Sequence, residues 1–441
     1  MTLSDAELAT TIDDAYVYGF PVWEIARTRQ ADLDATDPSI RIDPNQLRHD
    51  RRLGDHTMRW ITTPNNDTLY SRAWLDLSAG PVRVEVDAMA PGRYWSVAFL
   101  DAYSNNFAMI GTRLDGVGPV AVELVGPGGR QAAAATDTAL GRDDPCSPAV
   151  RVIEAPGNDV WLFARWIVDG PADLPNAHAM QQGLRVIAPP APPPVRGTPF
   201  DGEDPQQFLA VVNARLGRNP PPMTDRDALA RFAAVGLVPG DVDAWERLPA
   251  RIRAIWQQRI VHGPTLIRRS LPRPASGVRG WVVRPPHIGN FGTDYPLRAA
   301  IALGGLAALE PVEAVYASLS AADDGERLHG GRRYRWRLPP QGLPLDGFWS
   351  LSMYETTPDG RLFFTDNPID RYTIGDRTRG LHRDASGGLE IAIQAEPPDD
   401  ETARANWLPA PAGSFVLVLR AYLPRSALRE GTAAIPGIIS V

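Results

Sequence analysis

The sequence predicts an α+β protein, mainly β with helical insertions, built as two antiparallel β-sandwich units with a helical segment between them. Three observations carry this. Apolar residues alternate with polar ones at a period of two beyond the Pro64–Arg72 stretch and again from Tyr334, with Gly, Pro or Asn-Asp turns closing short runs. Between these stretches the apolar period becomes helical. Finally, the two β regions echo each other: Tyr94-Trp95-Ser96-Val97 matches Phe348-Trp349-Ser350-Leu351, and Leu162 to Trp166 parallels Leu417 to Ala421. Trp95 precedes Arg165 by 70 residues and Trp349 precedes Arg420 by 71, so a duplication is the simplest account.

Taken in order, residues 1–60 form an N-terminal helix and lead-in. Ser4 with Glu7 makes a capping box, and Leu8, Ile12, Ala15 and Tyr16 recur at helical spacing until Pro21 interrupts. Residues 61–190 form the first sandwich: Val82, Val84 and Val86 alternate with Arg83, Glu85 and Asp87, Pro91-Gly92 turns into Arg93 to Leu100, and further strands are expected at 107–113, 119–125, 150–154 and 160–168. The Pro-rich stretch 189–199 reads as a stiff joint. Residues 200–320 form the helical segment. Asp204 caps and Pro205 fits the first helical position ahead of Phe208, Val212 and Leu216, and later helices open at Thr224 and Pro249 and cover Leu297 to Ala308. Residues 325–441 form the second sandwich, with strands at 348–354, 389–394 and 415–423.

Composition narrows the function. At 441 residues the chain buries sizeable cores without a metal or disulfide staple, and its single cysteine, Cys146 in the turn-like Asp144-Pro145-Cys146-Ser147-Pro148, excludes an internal disulfide. The formal charge of −7 argues against nucleic acid as a partner. All 45 basic residues are arginine, which removes Schiff-base chemistry and a P-loop lysine. No run approaches a membrane span and no signal peptide precedes the first helix, so no membrane partner and a cytoplasmic location are expected. The seven histidines are dispersed, with no zinc-protease or serine-elbow spacing, so no metal and no organic cofactor are expected.

The densest polar cluster is Pro64-Asn65-Asn66-Asp67-Thr68-Leu69-Tyr70-Ser71-Arg72. A turn over Pro64 to Asp67 is predicted, with Tyr70, Arg72 and Trp74 on one face of the strand that follows. Asp67 then either holds the loop or faces a pocket as general base, with Tyr70 and Asp101 as the other acid–base candidates. Asn65, Asn66, Arg72, Tyr103, Asn105, Arg113, Trp349, Tyr354, Asn367 and Arg371 are the substrate-binding candidates, since amides, phenols and guanidinium forks next to aromatic rings suit a small polar ligand. For Arg165 and Arg420, which recur in the echo, half of a structural ion pair is the expectation.

The motifs resemble a known family over most of the chain. Pro64 to Ser71, Gly92-Arg93-Tyr94, Leu100 to Phe107 and Gly111-Thr112-Arg113 are similar to the N-terminal half, DUF1254, of a bacterial family of paired domains of unknown function. Phe348 to Tyr354, Asn367-Pro368-Ile369-Asp370-Arg371-Tyr372, Asn406 to Pro411 and Leu419 to Tyr422 resemble its partner, DUF1214. The resemblance implies two jelly-roll-like domains with intervening helices and no established activity or cofactor. Many members look exported, whereas this chain shows no leader. Two function classes therefore stand. One is a hydrolase or lyase using Asp, Tyr and Arg for acid–base chemistry on a small molecule. The other is a non-catalytic protein, either binding carbohydrate or another small polar ligand or serving as a structural assembly module, with homo-oligomerisation left open.

Overall fold

A computed structural model describes residues 3–38, 40–59, 62–129, 149–197, 200–269, 280–357 and 361–441; the Cys146 turn lies outside the described residues. The first helix, α1 (Asp5–Asp34), carries the expected capping box, with Ser4 Oγ accepting from the Glu7 amide and the Glu7 carboxylate accepting from the Ser4 amide. It runs through Pro21 instead of stopping there. A proline there leaves one backbone bond unmade, and burial of every residue from Ala15 to Trp23 holds the helix together across it. This buried face packs against the helices Pro205–Arg218, Ala250–Ile260 and Tyr295–Gly304 around Phe208, Val212, Trp256 and Ala299, so the N-terminal helix and the helical segment are one layer.

The first sandwich uses β1 (Arg48–His49), β2 (Thr68–Asp76), β3 (Val82–Val86), β4 (Trp95–Leu100), β5 (Asn106–Gly111), β6 (Val120–Val125), β7 (Val150–Glu154), β8 (Asp159–Ile167) and β9 (Leu184–Ile187). The second uses β10 (Val282–Val283), β11 (Ala314–Leu319), β12 (Tyr334–Leu338), β13 (Trp349–Thr356), β14 (Leu362–Phe363), β15 (Thr373–Gly375), β16 (Leu389–Gln394), β17 (Trp407–Pro409), β18 (Phe415–Tyr422) and β19 (Ile438–Ser440). Strands β10 and β11 lie inside the stretch assigned from sequence to the helical segment. The six-residue Ala314–Leu319 comes soon after a small-residue helix that ends at Gly304, and it lacks a clean polar alternation of its own.

The strand orders repeat. The larger sheets run β1-β2-β8-β4-β5 and β10-β11-β18-β13, with β15 and the short β14 both paired to the far side of β13; the smaller ones run β7-β6-β3-β9 and β17-β16-β12-β19. Pairing is antiparallel throughout except at one edge of each smaller sheet, where β7 joins β6 and β17 joins β16 in parallel. Register repeats too. A row Tyr70–Arg165–Ser96–Gly111 crosses β2, β8, β4 and β5, and Tyr316–Arg420–Ser350–Gly375 crosses β11, β18, β13 and β15. Both glycines permit a close approach that a Cβ would block, at 2.6 Å from the Trp95 carbonyl oxygen for Gly111 and 2.3 Å from that of Trp349 for Gly375.

Each sandwich has its own core between its two sheets: Leu69, Leu75, Val84, Trp95 and Trp166 in the first, Trp336, Trp349, Leu351, Ile391 and Leu419 in the second. Because strand side chains alternate, the opposite face of each larger sheet carries another apolar set. These two faces meet. Tyr70, Trp74, Tyr94, Trp161 and Phe163 of the first unit form a shared core with Ala314, Phe348 and Tyr422 of the second. Phe348 stacks on Tyr422 with ring centroids 4.3 Å apart, and Tyr94, which stands where Phe348 stands in the other unit, packs edge-on to it at 5.5 Å.

Candidate functional site

The joint between the units is tied by reciprocal bonds. Ser350 Oγ donates to Asp67 Oδ2 at 2.5 Å, and Tyr94 Oη, beside Ser96, donates to Glu313 Oε1 at 2.8 Å. Asp67 and Glu313 hold matching positions ahead of β2 and β11: their carbonyls accept from the Val168 and Leu423 amides that follow β8 and β18. The buried arginines cross over in the same way. Arg165 donates from Nη2 to the Ala307 carbonyl at 2.7 Å, while Arg420 donates from Nη2 to the Thr63 carbonyl at 3.0 Å and from Nη1 to Ser352 Oγ at 2.8 Å. Thr63 and Ala307 both sit at positive φ, 55° and 63°, in the two lead-ins. Each unit's central arginine is thus held by the other's backbone or by a hydroxyl, where sequence reasoning expected a carboxylate.

Around these arginines lies a cavity of about 100 Å³ on the axis relating the two units. Tyr70, Phe163 and Arg165 come from one unit, Arg284, Tyr316, Arg420 and Tyr422 from the other, and Ile288, Ile301 and Leu306 close one side. Three guanidinium groups line it and, among the described residues, no carboxylate does. Arg165 is 6% exposed, packs its guanidinium over the Phe163 ring at 4.7 Å, and has no protein partner for Nη1. A buried charged donor left unpaired costs more than the roughly 1–3 kcal/mol of a neutral one. Arg284 shows the same imbalance, since burial alone lowers its pKa and no acidic neighbour offsets it. The Tyr70 hydroxyl is pushed up to about 12, chiefly by burial, so it is a donor at neutral pH.

The sequence-derived candidates separate into several places. Asn65 and Tyr70 line the axial cavity. Asn65 also builds the expected turn: its Oδ1 accepts from the Asp67 amide at 2.6 Å, and its Nδ2 donates to Thr68 Oγ1 and Tyr422 Oη. Asn66, which donates to the Gly54 carbonyl, and Asp67 line a second cleft of about 630 Å³ together with Trp349 and Arg371. Burial raises the Asp67 carboxyl pKa, against the opposing pull of Arg420 and the Ser350 bond. Asp101, Tyr103, Asn105 and Arg113 line a third cavity. There Asp101 accepts from the Tyr103 and Asn105 amides and from Asn105 Nδ2, and Arg113 pairs with Glu313 at 2.7 Å. The three acid–base candidates therefore face three different cavities.

The other candidates act in the framework. Arg72 pairs with Asp32 of α1 at 3.1 Å, and Trp74 donates to the same carboxylate. Tyr354 donates to the Pro64 carbonyl, Asn367 Oδ1 accepts from the Arg371 amide, and Arg371 donates to the Ala405 and Trp407 carbonyls. Sequence reasoning missed Arg284, Tyr316 and Tyr422. For Tyr316 a signal existed: it is to Arg420 what Tyr70 is to Arg165, one strand over in an echo already visible in the tryptophans.

Residues 44–188 match the family described as "Protein of unknown function (DUF1254)" and residues 313–426 match "Protein of unknown function (DUF1214)". The crystal structure of the VPA0106 protein from Vibrio parahaemolyticus is similar over 98% of this chain and 100% of its own, with a TM-score of 0.69 at 21% identity, a likeness of fold. An uncharacterised protein from Burkholderia cenocepacia gives a TM-score of 0.47 at 12% identity over 99% of both chains. No curated protein matches. Among the described residues no helix is long and apolar enough to cross a membrane.

Proposed function

Because the chain pairs a DUF1254 region with a DUF1214 region, two families whose descriptions name no activity, we propose its function from the axial cavity: the protein binds a small organic anion between its two sandwich units. The observation that carries this is the buried Arg165, whose Nη1 has no protein partner in a wall of three arginines without a carboxylate. A carboxylate in the cavity would accept from the protonated Tyr70, and its charge would offset that of the arginines in the wall and the burial of Arg284. The volume is of the order that holds a benzene-sized molecule, which favours a small acid over a polymer. This is the binding alternative of the two function classes, with the ligand an acid rather than a carbohydrate. The hydrolase or lyase reading is weakened because Asp67, Tyr70 and Asp101 line separate cavities and the oxygens of Asp101 are engaged in a turn.

The test is thermal denaturation with acetate, butyrate, benzoate and inorganic phosphate, on the wild type and Arg165→Met. At a ligand concentration of about 100 times Kd the folded state gains about 2.7 kcal/mol. A concentration-dependent rise in Tm with at least one carboxylate, lost in the variant, is expected. No rise with any carboxylate, or an equal rise in the variant, overturns the proposal.

A further inference from the structure

We propose a second ligand site, in the cleft of about 630 Å³ beside Trp349, where the unused edge of Arg371 takes an oxyanion, carboxylate or phosphate, carried on a molecule of metabolite size. The volume falls within the usual range for small-molecule sites. It is several times that of the axial cavity, and the two share no lining residue.

Arg371 is half-buried and held from one side only. Its Nη1 donates to the Ala405 carbonyl at 3.0 Å, at the end of the helix Glu401–Ala405, and to the Trp407 carbonyl of β17 at 2.8 Å. Two carbonyls on one nitrogen fix the plane of the guanidinium. Nε and Nη2 form the other edge of the group; among the described residues they have no protein partner, and both keep surface open to solvent. This is the edge with which Arg377 and Arg259 each grip a carboxylate, of Asp169 and Asp13, with two nitrogens at once. Burial alone lowers the Arg371 pKa, with no acidic neighbour to offset it. Asp370, next to it in the chain, instead accepts from Tyr372 Oη at 3.2 Å.

The loop before β15 is shaped to present this side chain. Asn367 Oδ1 accepts from the Arg371 amide at 2.9 Å, and Asp370 is held at φ 49°, in the left-handed region that a non-glycine residue enters at a cost of about 1 kcal/mol or more. The charges of the lining point to an anion. Its carboxylates are engaged, Asp55 by the Thr57 amide and hydroxyl, Asp67 by Ser350 and Asp370 by Tyr372. Of its other arginines, Arg377 is matched by Asp169, whereas Arg52 and Arg379 are exposed and make no hydrogen bond or ion pair among the described residues. Two further cations therefore share the wall with Arg371, which favours an anion over a neutral ligand. Leu53, Ile167 and Ile369 supply apolar surface for the rest of the molecule.

The test is isothermal titration calorimetry of the full-length protein with glucose 6-phosphate, gluconate and glucose, with the Arg371 Nε–H signal followed by ¹H–¹⁵N NMR in the same titrations. Saturable binding of at least one of the two anions, with a shift of that signal, is expected; a response to glucose 6-phosphate alone makes the site one for phosphate esters, and to gluconate alone one for carboxylic acids. Arg371→Lys replaces the fork by a point charge and should weaken binding about tenfold. Because that variant also loses a backbone tie, Arg379→Glu is the second: it reverses an exposed charge of the wall without touching a core and should weaken binding about threefold. Arg165→Met, in the axial cavity, should leave the affinity unchanged. Binding of neither anion, glucose bound as tightly as they are, an unmoved Nε–H signal, or an affinity lost in Arg165→Met and kept in Arg371→Lys and Arg379→Glu overturns the proposal.

Discussion

Arg165 and Arg420 hold the same place in the two units, yet replacing each with methionine should have very different costs. Methionine keeps most of the aliphatic bulk and removes every donor. Arg420 is 4% exposed and donates to Ser352 Oγ at 2.8 Å, to the Thr63 carbonyl at 3.0 Å and to the Pro64 carbonyl at 3.4 Å; it is also the cation that opposes the burial of Asp67. Bonds from a charged donor contribute about 1.5–3 kcal/mol each but do not add, and removing one member of a buried charged set costs about 3–5 kcal/mol. Arg420→Met should therefore lose about 3–5 kcal/mol. Arg165 donates to the Ala307 carbonyl and carries an unpaired Nη1 whose removal relieves a penalty, so Arg165→Met should lose only about 1 kcal/mol. Urea unfolding followed by tryptophan fluorescence reads both, as a shift in midpoint multiplied by a common slope. Equal losses in the two variants would refute the division into a tether and a ligand-receiving arginine.

Two further outcomes follow from other parts of the molecule. Gly375→Ala should cost about 1–3 kcal/mol or more, because the new Cβ would sit 2.3 Å from the Trp349 carbonyl oxygen and force β15 off β13; a midpoint unchanged in urea would contradict that contact. His49 has its pKa lowered to about 4, chiefly by burial, and its Nδ1 lies 2.7 Å from Ser71 Oγ, which already accepts from Trp166 Nε1. The serine hydroxyl therefore donates to an unprotonated Nδ1. The folded state binds fewer protons than the unfolded state between the unfolded pKa near 6.5 and about 4, so stability falls as pH falls through that window. After allowance for partial exposure, the loss at the acid end is about 1–2 kcal/mol. His49→Gln should flatten the wild-type dependence by that amount in urea midpoints taken at pH 7 and pH 4.5, and an identical slope in the variant would remove histidine from the account.

Local chemistry was legible in the sequence. The Ser4–Glu7 box, the caps at Asp204 and Pro249, and the strands at 120–125 and 150–154 follow from residues within a turn or two of each other, and the structure places them within a residue or so of expectation. The echo was legible because Trp95 and Trp349 each fill a sandwich core, where few residue types fit. The axial cavity was not. It needs Arg165 and Arg420, 255 residues apart, to face each other across a joint whose existence no local pattern reports. The motif from Asn65 to Arg72 looked like one site because its polar residues are neighbours in sequence. The turn before β2 leaves Asp67 in the cleft beside Trp349, while Tyr70 and Arg72 share a face of β2 and part only by their place along it, Tyr70 at the axis and Arg72 against Asp32 of α1.

Two copies of a unit fused in one chain differ from a homodimer in one respect that bears on the ligand. A homodimer with a two-fold axis must repeat every side chain across that axis, so a ligand without that symmetry binds in two equivalent orientations. Here the repeats have drifted where they meet: Tyr94 corresponds to Phe348, Trp166 to Ala421, and Ile167 to Tyr422, judged by matching amide bonds and strand registers. In the axial cavity itself Phe163 of the first unit stands where Val418 stands in the second, so one end offers an aromatic ring where the other offers an aliphatic chain. Fusion gives the joint a head and a tail, so the proposed acid, if its ends differ, would enter in a single sense.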